Sequence, residues 1–171
     1  ANDIDMTGFV QETHAFVTGA IYPGSSDIGF HGVFDGQGYV ISNLDAQSNG
    51  IFGNATAPVV KNVAFTNLSI GGNYPTVFVH SIKRDGWIDG TGYTKEALFE
   101  NIYIELTKVN KTSGRANVLV NNSFYVGSKV RNVVVETNLS EETIELVKTN
   151  ALQLGTIGGN ASVMNNTLMF V

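Results

Sequence analysis

The apolar positions of this chain fall into a recurring six-residue pattern: apolar, any residue, Asn, apolar, any residue, apolar. It reads Ile41-Ser42-Asn43-Leu44-Asp45-Ala46, then Val60-Lys61-Asn62-Val63-Ala64-Phe65. It returns as Phe99-Glu100-Asn101-Ile102-Tyr103-Ile104 and as Val130-Arg131-Asn132-Val133-Val134-Val135. A degraded fifth copy, Met164-Asn165-Asn166-Thr167-Leu168-Met169, carries Thr167 at an apolar position. The Asn-to-Asn intervals (43 to 62, 62 to 101, 101 to 132, 132 to 166) are 19, 39, 31 and 34 residues. A fixed motif at variable intervals of this size marks a repeat array with loops thrown out of each repeat.

Side chains along a strand alternate faces with a period of two. Here the apolar residues flanking x-Asn are three apart, so both point inward only if the chain turns a corner there. Asn suits a corner because it tolerates the left-handed backbone region and bonds locally. Corners repeated at one place in successive repeats would stack Asn43, Asn62, Asn101, Asn132 and Asn166 into a ladder of amides. A second landmark supports stacking. Gly50-Ile51-Phe52-Gly53-Asn54-Ala55-Thr56 precedes the second copy, and the similar Gly155-Thr156-Ile157-Gly158-Gly159-Asn160-Ala161-Ser162 precedes the fifth. The expected fold is all-β, a parallel β-helix of about five coils in one domain over 1–171, right-handed because parallel crossovers overwhelmingly are. Asp35-Gly36-Gln37-Gly38 is read as a tight corner rather than a hairpin turn. One short helix is expected near 141–149, where Ser140-Glu141-Glu142 resembles an acidic N-cap.

Composition narrows the classes. Of 171 residues, 43% are hydrophobic and only 15% charged, which fits strands buried on one face and paired on both edges. The net charge of −5 disfavours a nucleic-acid binder, which would carry a basic face. The absence of cysteine excludes disulfides, zinc–thiolate sites and a Cys nucleophile. No apolar run is long enough to span a bilayer, so membrane insertion is not expected. No cofactor is expected either.

The candidate chemistry is sparse. The excursion over 71–97 holds the only Trp, Trp87, with Tyr93 nearby, a candidate platform for a glycan or a protein partner. Asp85, Asp89 and Glu96 partly match a calcium loop, but Trp87 stands where an oxygen ligand belongs. The plainer reading is a Gly/Asp-rich loop. Lys61, Glu100 and Arg131 share one outward position in three repeats. A polysaccharide lyase or hydrolase would need such groups clustered on one face; a charge ladder that solubilises the face is the plainer account. Seven Asn-x-Ser/Thr sequons begin at Asn54, Asn67, Asn110, Asn121, Asn138, Asn160 and Asn165, glycan acceptors only in a suitable secretory host. The chain opens at Ala1 without Met and closes inside the apolar stretch Leu168-Met169-Phe170-Val171. This points to an excised segment, or to a subunit that associates with itself through stacked ends.

Phe30-His31-Gly32-Val33-Phe34-Asp35-Gly36-Gln37-Gly38-Tyr39-Val40-Ile41-Ser42-Asn43-Leu44, followed by Gly50-Ile51-Phe52-Gly53, resembles the GLUG-type repeat of large bacterial surface proteins. These include the non-catalytic N-terminal regions of IgA-specific metallopeptidases. Asn2-Asp3-Ile4-Asp5-Met6 is similar to the strand that commonly precedes that motif. The resemblance covers about residues 1–70 well and the remainder loosely. It implies a β-helix displayed outside the cell, with an adhesive or spacer role and no catalytic residue. The three roles weighed are a non-catalytic structural or adhesive module, a polysaccharide-binding or polysaccharide-processing β-helix, and a self-assembling fibre subunit.

Overall fold

The structure, a computed structural model, describes residues 2–11, 30–47, 50–73, 75–83, 96–113, 116–124, 128–139, 153–157 and 163–169. Among these it is all-β, without a helix, in two sheets whose strand pairs are all parallel. The larger sheet contains β1 (Ile4–Asp5), β2 (Val10–Gln11), β3 (Val33–Asp35), β4 (Val40–Ser42), β5 (Asp45–Gln47), β7 (Val59–Asn73), β9 (Leu98–Ser113), β11 (Lys129–Thr137) and β13 (Val163–Met169). The smaller contains β6 (Gly53–Thr56), β8 (Val79–Lys83), β10 (Asn117–Phe124) and β12 (Gln153–Ile157). From β6 onward the chain therefore changes sheet at every strand. Parallel neighbours cannot be joined by a tight hairpin, and here the connection between them is the strand in the other sheet. The helix expected near 141–149 lies outside the described residues.

The long strands are bent rather than straight. β7 places Asn62 and Asn67 in the left-handed region, with φ of 53° and 50°, and β9 and β11 do the same at Asn101 and Asn132, each at 53°. One left-handed residue lets the inward face resume after three positions instead of two. Val60 and Val63, Phe99 and Ile102, and Val130 and Val133 are all buried as a result. Ordinary alternation then carries Phe65, Ile104 and Val135 into the same core.

Asp35-Gly36-Gln37-Gly38 forms the corner read from the sequence. β3 and β4 both run parallel to β7, pairing Asp35 with Lys61 and Val40 with Ala64. The chain uses five steps from Asp35 to Val40 where β7 uses three from Lys61 to Ala64. The surplus loops out over the Asn62 corner and bonds to it, Gly36 N–H to Lys61 O at 2.9 Å and Gly38 N–H to Asn62 O at 2.8 Å. Gly36 is required by proximity: a Cβ there would meet both Asn62 O and Val63 Cβ at 2.6 Å.

Between the sheets the core is built on a run of phenylalanine rings. Phe52, just before β6, stacks on Phe30 with centroids 4.4 Å apart and lies 6.4 Å from Phe78, just before β8. Phe78 in turn meets Phe65 of β7 at 5.3 Å and Phe99 of β9 at 5.9 Å. Full burial of a ring of this size contributes about 1.5–3 kcal/mol. Backbone bonds continue rung to rung beyond the strand ends, as in Phe52 N–H to Phe78 O and Val77 N–H to Val118 O, each 2.8 Å. Gly53, with φ of 59°, marks a slip in the β6–β8 register.

Candidate functional site

The side chains at the bends form two hydrogen-bonded columns on the outside of the larger sheet. In the first, Asn132 Nδ2 donates to Asn101 Oδ1 at 2.9 Å, and Asn101 Nδ2 to Asn62 Oδ1 at 3.0 Å. Asn62 Nδ2 then donates to Asp35 Oδ1 at 3.0 Å. The pairing of β11 with β13 brackets Asn132 between Arg131–Asn165 and Val133–Thr167. Backbone register alone thus sets Asn166 beside Asn132.

The second column is separate. Thr107 Oγ1 donates to Asn67 Oδ1 at 3.0 Å, Asn67 Nδ2 to Asn43 Oδ1 at 2.7 Å, and Asn43 Nδ2 to Asp5 Oδ1 at 2.8 Å. The expectation of one ladder through all five Asn is corrected here: Asn43 stacks on Asn67, not on Asn62. Asn43 and Asn62 are only 19 residues apart, and the strands flanking Asn43 pair with those flanking Asn67. The bonded partners in the two columns are 24 to 40 residues apart. Pairing of Ile41 with Phe65 and Ser42 with Thr66 makes Phe65-Thr66-Asn67-Leu68-Ser69-Ile70 the true counterpart of the Asn43 hexamer. That stretch satisfies the same six-residue pattern, overlapping the Val60 copy at Phe65, so Asn67 is legible in the sequence. Thr107, Asp5 and Asp35 carried no such signal.

Local geometry explains why the second column changes chemistry. Between Phe65 and Leu68 the β7 strand holds one residue more than β9 between Ile104 and Leu106. A bulged residue leaves the ladder, and the carboxylate of Glu105 takes up the Asn67 N–H at 3.1 Å. Thr107, on the next rung, reaches both Asn67 Oδ1 and, at 3.2 Å, Leu68 O.

Both columns end on a carboxylate at the N-terminal side. Asp5 Oδ1 also accepts Thr7 N–H at 2.9 Å and Thr7 Oγ1 at 2.7 Å. The Asn43 amide, then the two Thr7 donors, hold the Asp5 carboxyl below the usual carboxylate range. The Asn62 amide, then Gln37 N–H and the Lys61 ammonium, do the same for Asp35. Donors aimed at the charged form favour it.

Beside the first column runs a line of charge. Register aligns Asp35, Lys61, Glu100 and Arg131 across β3, β7, β9 and β11. Lys61 Nζ lies 3.1 Å from Asp35 Oδ2, and Arg131 Nη1 lies 3.6 Å from Glu100 Oε1. Five residues further along the same pair of strands, Glu105 and Glu136 are directly opposed. Tyr103 OH donates to Glu136 Oε2 at 2.8 Å, and that carboxylate raises the Tyr103 hydroxyl above its ordinary pKa.

Trp87, Tyr93, Asp85 and Asp89 lie outside the described residues. Glu96, the remaining member of the calcium-loop match, is ion-paired with Lys129. Among the described residues there is no group of three or more His, Cys, Asp or Glu side chains arranged to hold a metal ion, and no helix is long and apolar enough to cross a membrane. Two of the sequons are compromised as acceptors: Asn54 is buried in β6, and the Asn67 amide is committed to the second column. Asn110 and Asn138 are exposed.

Compared with known proteins, the chain matches no family model, no curated protein and no solved structure.

Proposed function

We propose that this chain is a right-handed parallel β-helix of about five coils. We propose further that it serves as a non-catalytic structural or adhesive module of a secreted or cell-surface bacterial protein. The observation that carries the coil is the alternation of strands between two parallel sheets from β6 onward, with corner amides bonded rung to rung. Handedness follows from the crossover rule. The outside-the-cell setting rests on the likeness of residues 30–53 to GLUG-type repeats. Support for a scaffold rather than an enzyme comes from the outward charges, which are engaged with one another: Lys61 with Asp35, Arg131 with Glu100. A general base or acid needs a group left available to substrate.

A second reading, a polysaccharide-binding β-helix, is favoured by Tyr103. Its ring is anchored through its hydroxyl on the outer face of β9, one rung from Ala64 and one from Val134. Aromatic rings beside carboxylate acceptors suit a pyranose with its hydroxyls. Incubation with a broad panel of glycans tests both readings. The scaffold expects no product from any of them, and retention on immobilised glycans would identify the binding variant through a loss in Tyr103→Ala. Release of oligosaccharide that disappears in Lys61→Ala or Arg131→Ala would overturn the non-catalytic assignment.

A further inference from the structure

The line of charge on the outside of the larger sheet has a symmetry of its own. Asp35, Lys61, Glu100 and Arg131 occupy one register position on β3, β7, β9 and β11. Their charges alternate along the rungs as minus, plus, minus, plus. Read backwards, the order is plus, minus, plus, minus, so the row is the charge complement of its own reversal. Two residues earlier on the same strands runs a second row, Val33, Val59, Leu98 and Lys129. Val60, Phe99 and Val130, which lie between the rows, are buried in the core. Alternation therefore puts both rows on the outer face. There Val33 is 61% exposed, and Val59 and Leu98 are half-buried. No register shift interrupts either row.

We infer that this two-row patch is a self-complementary contact surface for a second copy of this chain, docked face to face about a two-fold axis parallel to the strands. Such an axis keeps each row over its own counterpart and reverses the order of the rungs. Asp35 then faces Arg131 of the second copy, and Lys61 faces its Glu100, each contact occurring twice. In the neighbouring row Val59 faces Leu98 of the second copy, which places apolar contact at the centre of the patch. A two-fold axis along the rungs would instead set every charge against the same charge in the copy. Juxtaposed like charges are costly, so the order of charges selects one geometry. Pairing within the chain does not exhaust the row. Lys61 lies 3.1 Å from Asp35 and Arg131 lies 3.6 Å from Glu100, yet the four side chains stay between 30% and 46% exposed. A carboxylate has two acceptor oxygens and Arg five N–H donors, so each can bind along the row and across it. Four rungs at about 4.8 Å span only about 14 Å. The contact is therefore smaller than a standard interface, and the association is weak. The inference uses only the register of the larger sheet and stands apart from the closed coil proposed above.

The test is sedimentation equilibrium of the whole chain at neutral pH and low salt, up to about 1 mM, with folding checked by circular dichroism. Wild type is expected to show a monomer–dimer equilibrium within that range. Lys61→Glu sets a carboxylate against Glu100 of the second copy, and Glu100→Lys sets a second ammonium against Lys61. Each alone is expected to weaken association about tenfold or more. An equimolar mixture of the two is expected to recover the wild-type dimer, because residue 61 of either variant then faces an opposite charge at residue 100 of the other. Leu98→Glu, in the apolar row, is expected to weaken association as well, and serves if Lys61→Glu fails to fold. Wild type that stays monomeric throughout the range overturns the proposal. So does wild-type association that the folded charge variants leave unchanged, because the contact would then lie elsewhere. A mixture that associates no better than its two components overturns it as well.

Discussion

The two corner columns differ in how far they persist, and the difference is instructive. The first repeats Asn at 62, 101 and 132 because β7, β9 and β11 stay in register across that bend. The second runs Asn43, Asn67 and then Thr107, because an extra β7 residue before Leu68 is offset by an extra β9 residue, Thr107, before Lys108. An amide column survives where the pairing passes through the corner without a register shift. Where one strand bulges, a different polar side chain reaches over to close the gap.

The comparison predicts an order of damage. Asn101→Ala should cost the most, about 2–3 kcal/mol in a urea melt, since it loses two side-chain bonds and forces a left-handed Ala. Asn101→Gly, free of backbone strain, should recover part of that loss. Equal loss in both would show that φ is irrelevant at this bend. Gly36→Ala should cost about 1–3 kcal/mol, because its Cβ would press on Asn62 O and Val63 at the head of the first column. A neutral result would mean that the loop over residues 36–39 gives way.

Acid should weaken both columns at the same end. The Asp5 and Asp35 carboxyls are depressed below 3.8 in the fold. The unfolded chain therefore binds protons first, and stability present above 3.8 is lost as pH falls through the folded values. His80, whose burial lowers its pKa below 6.5, acts in an earlier window: its contribution is complete above 6.5 and erodes as pH drops beneath it. Urea midpoints across this range should flatten below 3.8 in Asp5→Asn, Asp35→Asn, and near 6.5 in His80→Asn.

Thr107→Val should cost about 1 kcal/mol, confined to the second column, by removing the hydroxyl that bridges Asn67 and Leu68. Pairing it with Asn67→Ala in a double-mutant cycle should give a sum smaller than the two single losses. Additive losses would mean that the two side chains do not act together. Smallest of all, Arg131→Ala should change stability by less than about 1 kcal/mol, since its pair with Glu100 is exposed and screened. A larger effect would promote the charge line from solubilising to structural.

Local periodicity was sufficient for the bends themselves. Two inward residues three apart around an Asn require a left-handed corner whatever the rest of the chain does, and Asn62, Asn101 and Asn132 follow from that alone. The same logic held for Gly36, where two Gly within four residues marked a tight corner. Which Asn stands over which is a different kind of fact. It depends on how many residues each turn spends in the other sheet and in its loops, a non-local quantity that varies from rung to rung. Only pairing across the sheet could send Asn43 to Asn67 rather than Asn62, place a bulge at Asn67, and leave Asp5 and Asp35 at the head of both columns. The pattern of residues decides where a chain turns; the register of its neighbours decides what each turn touches.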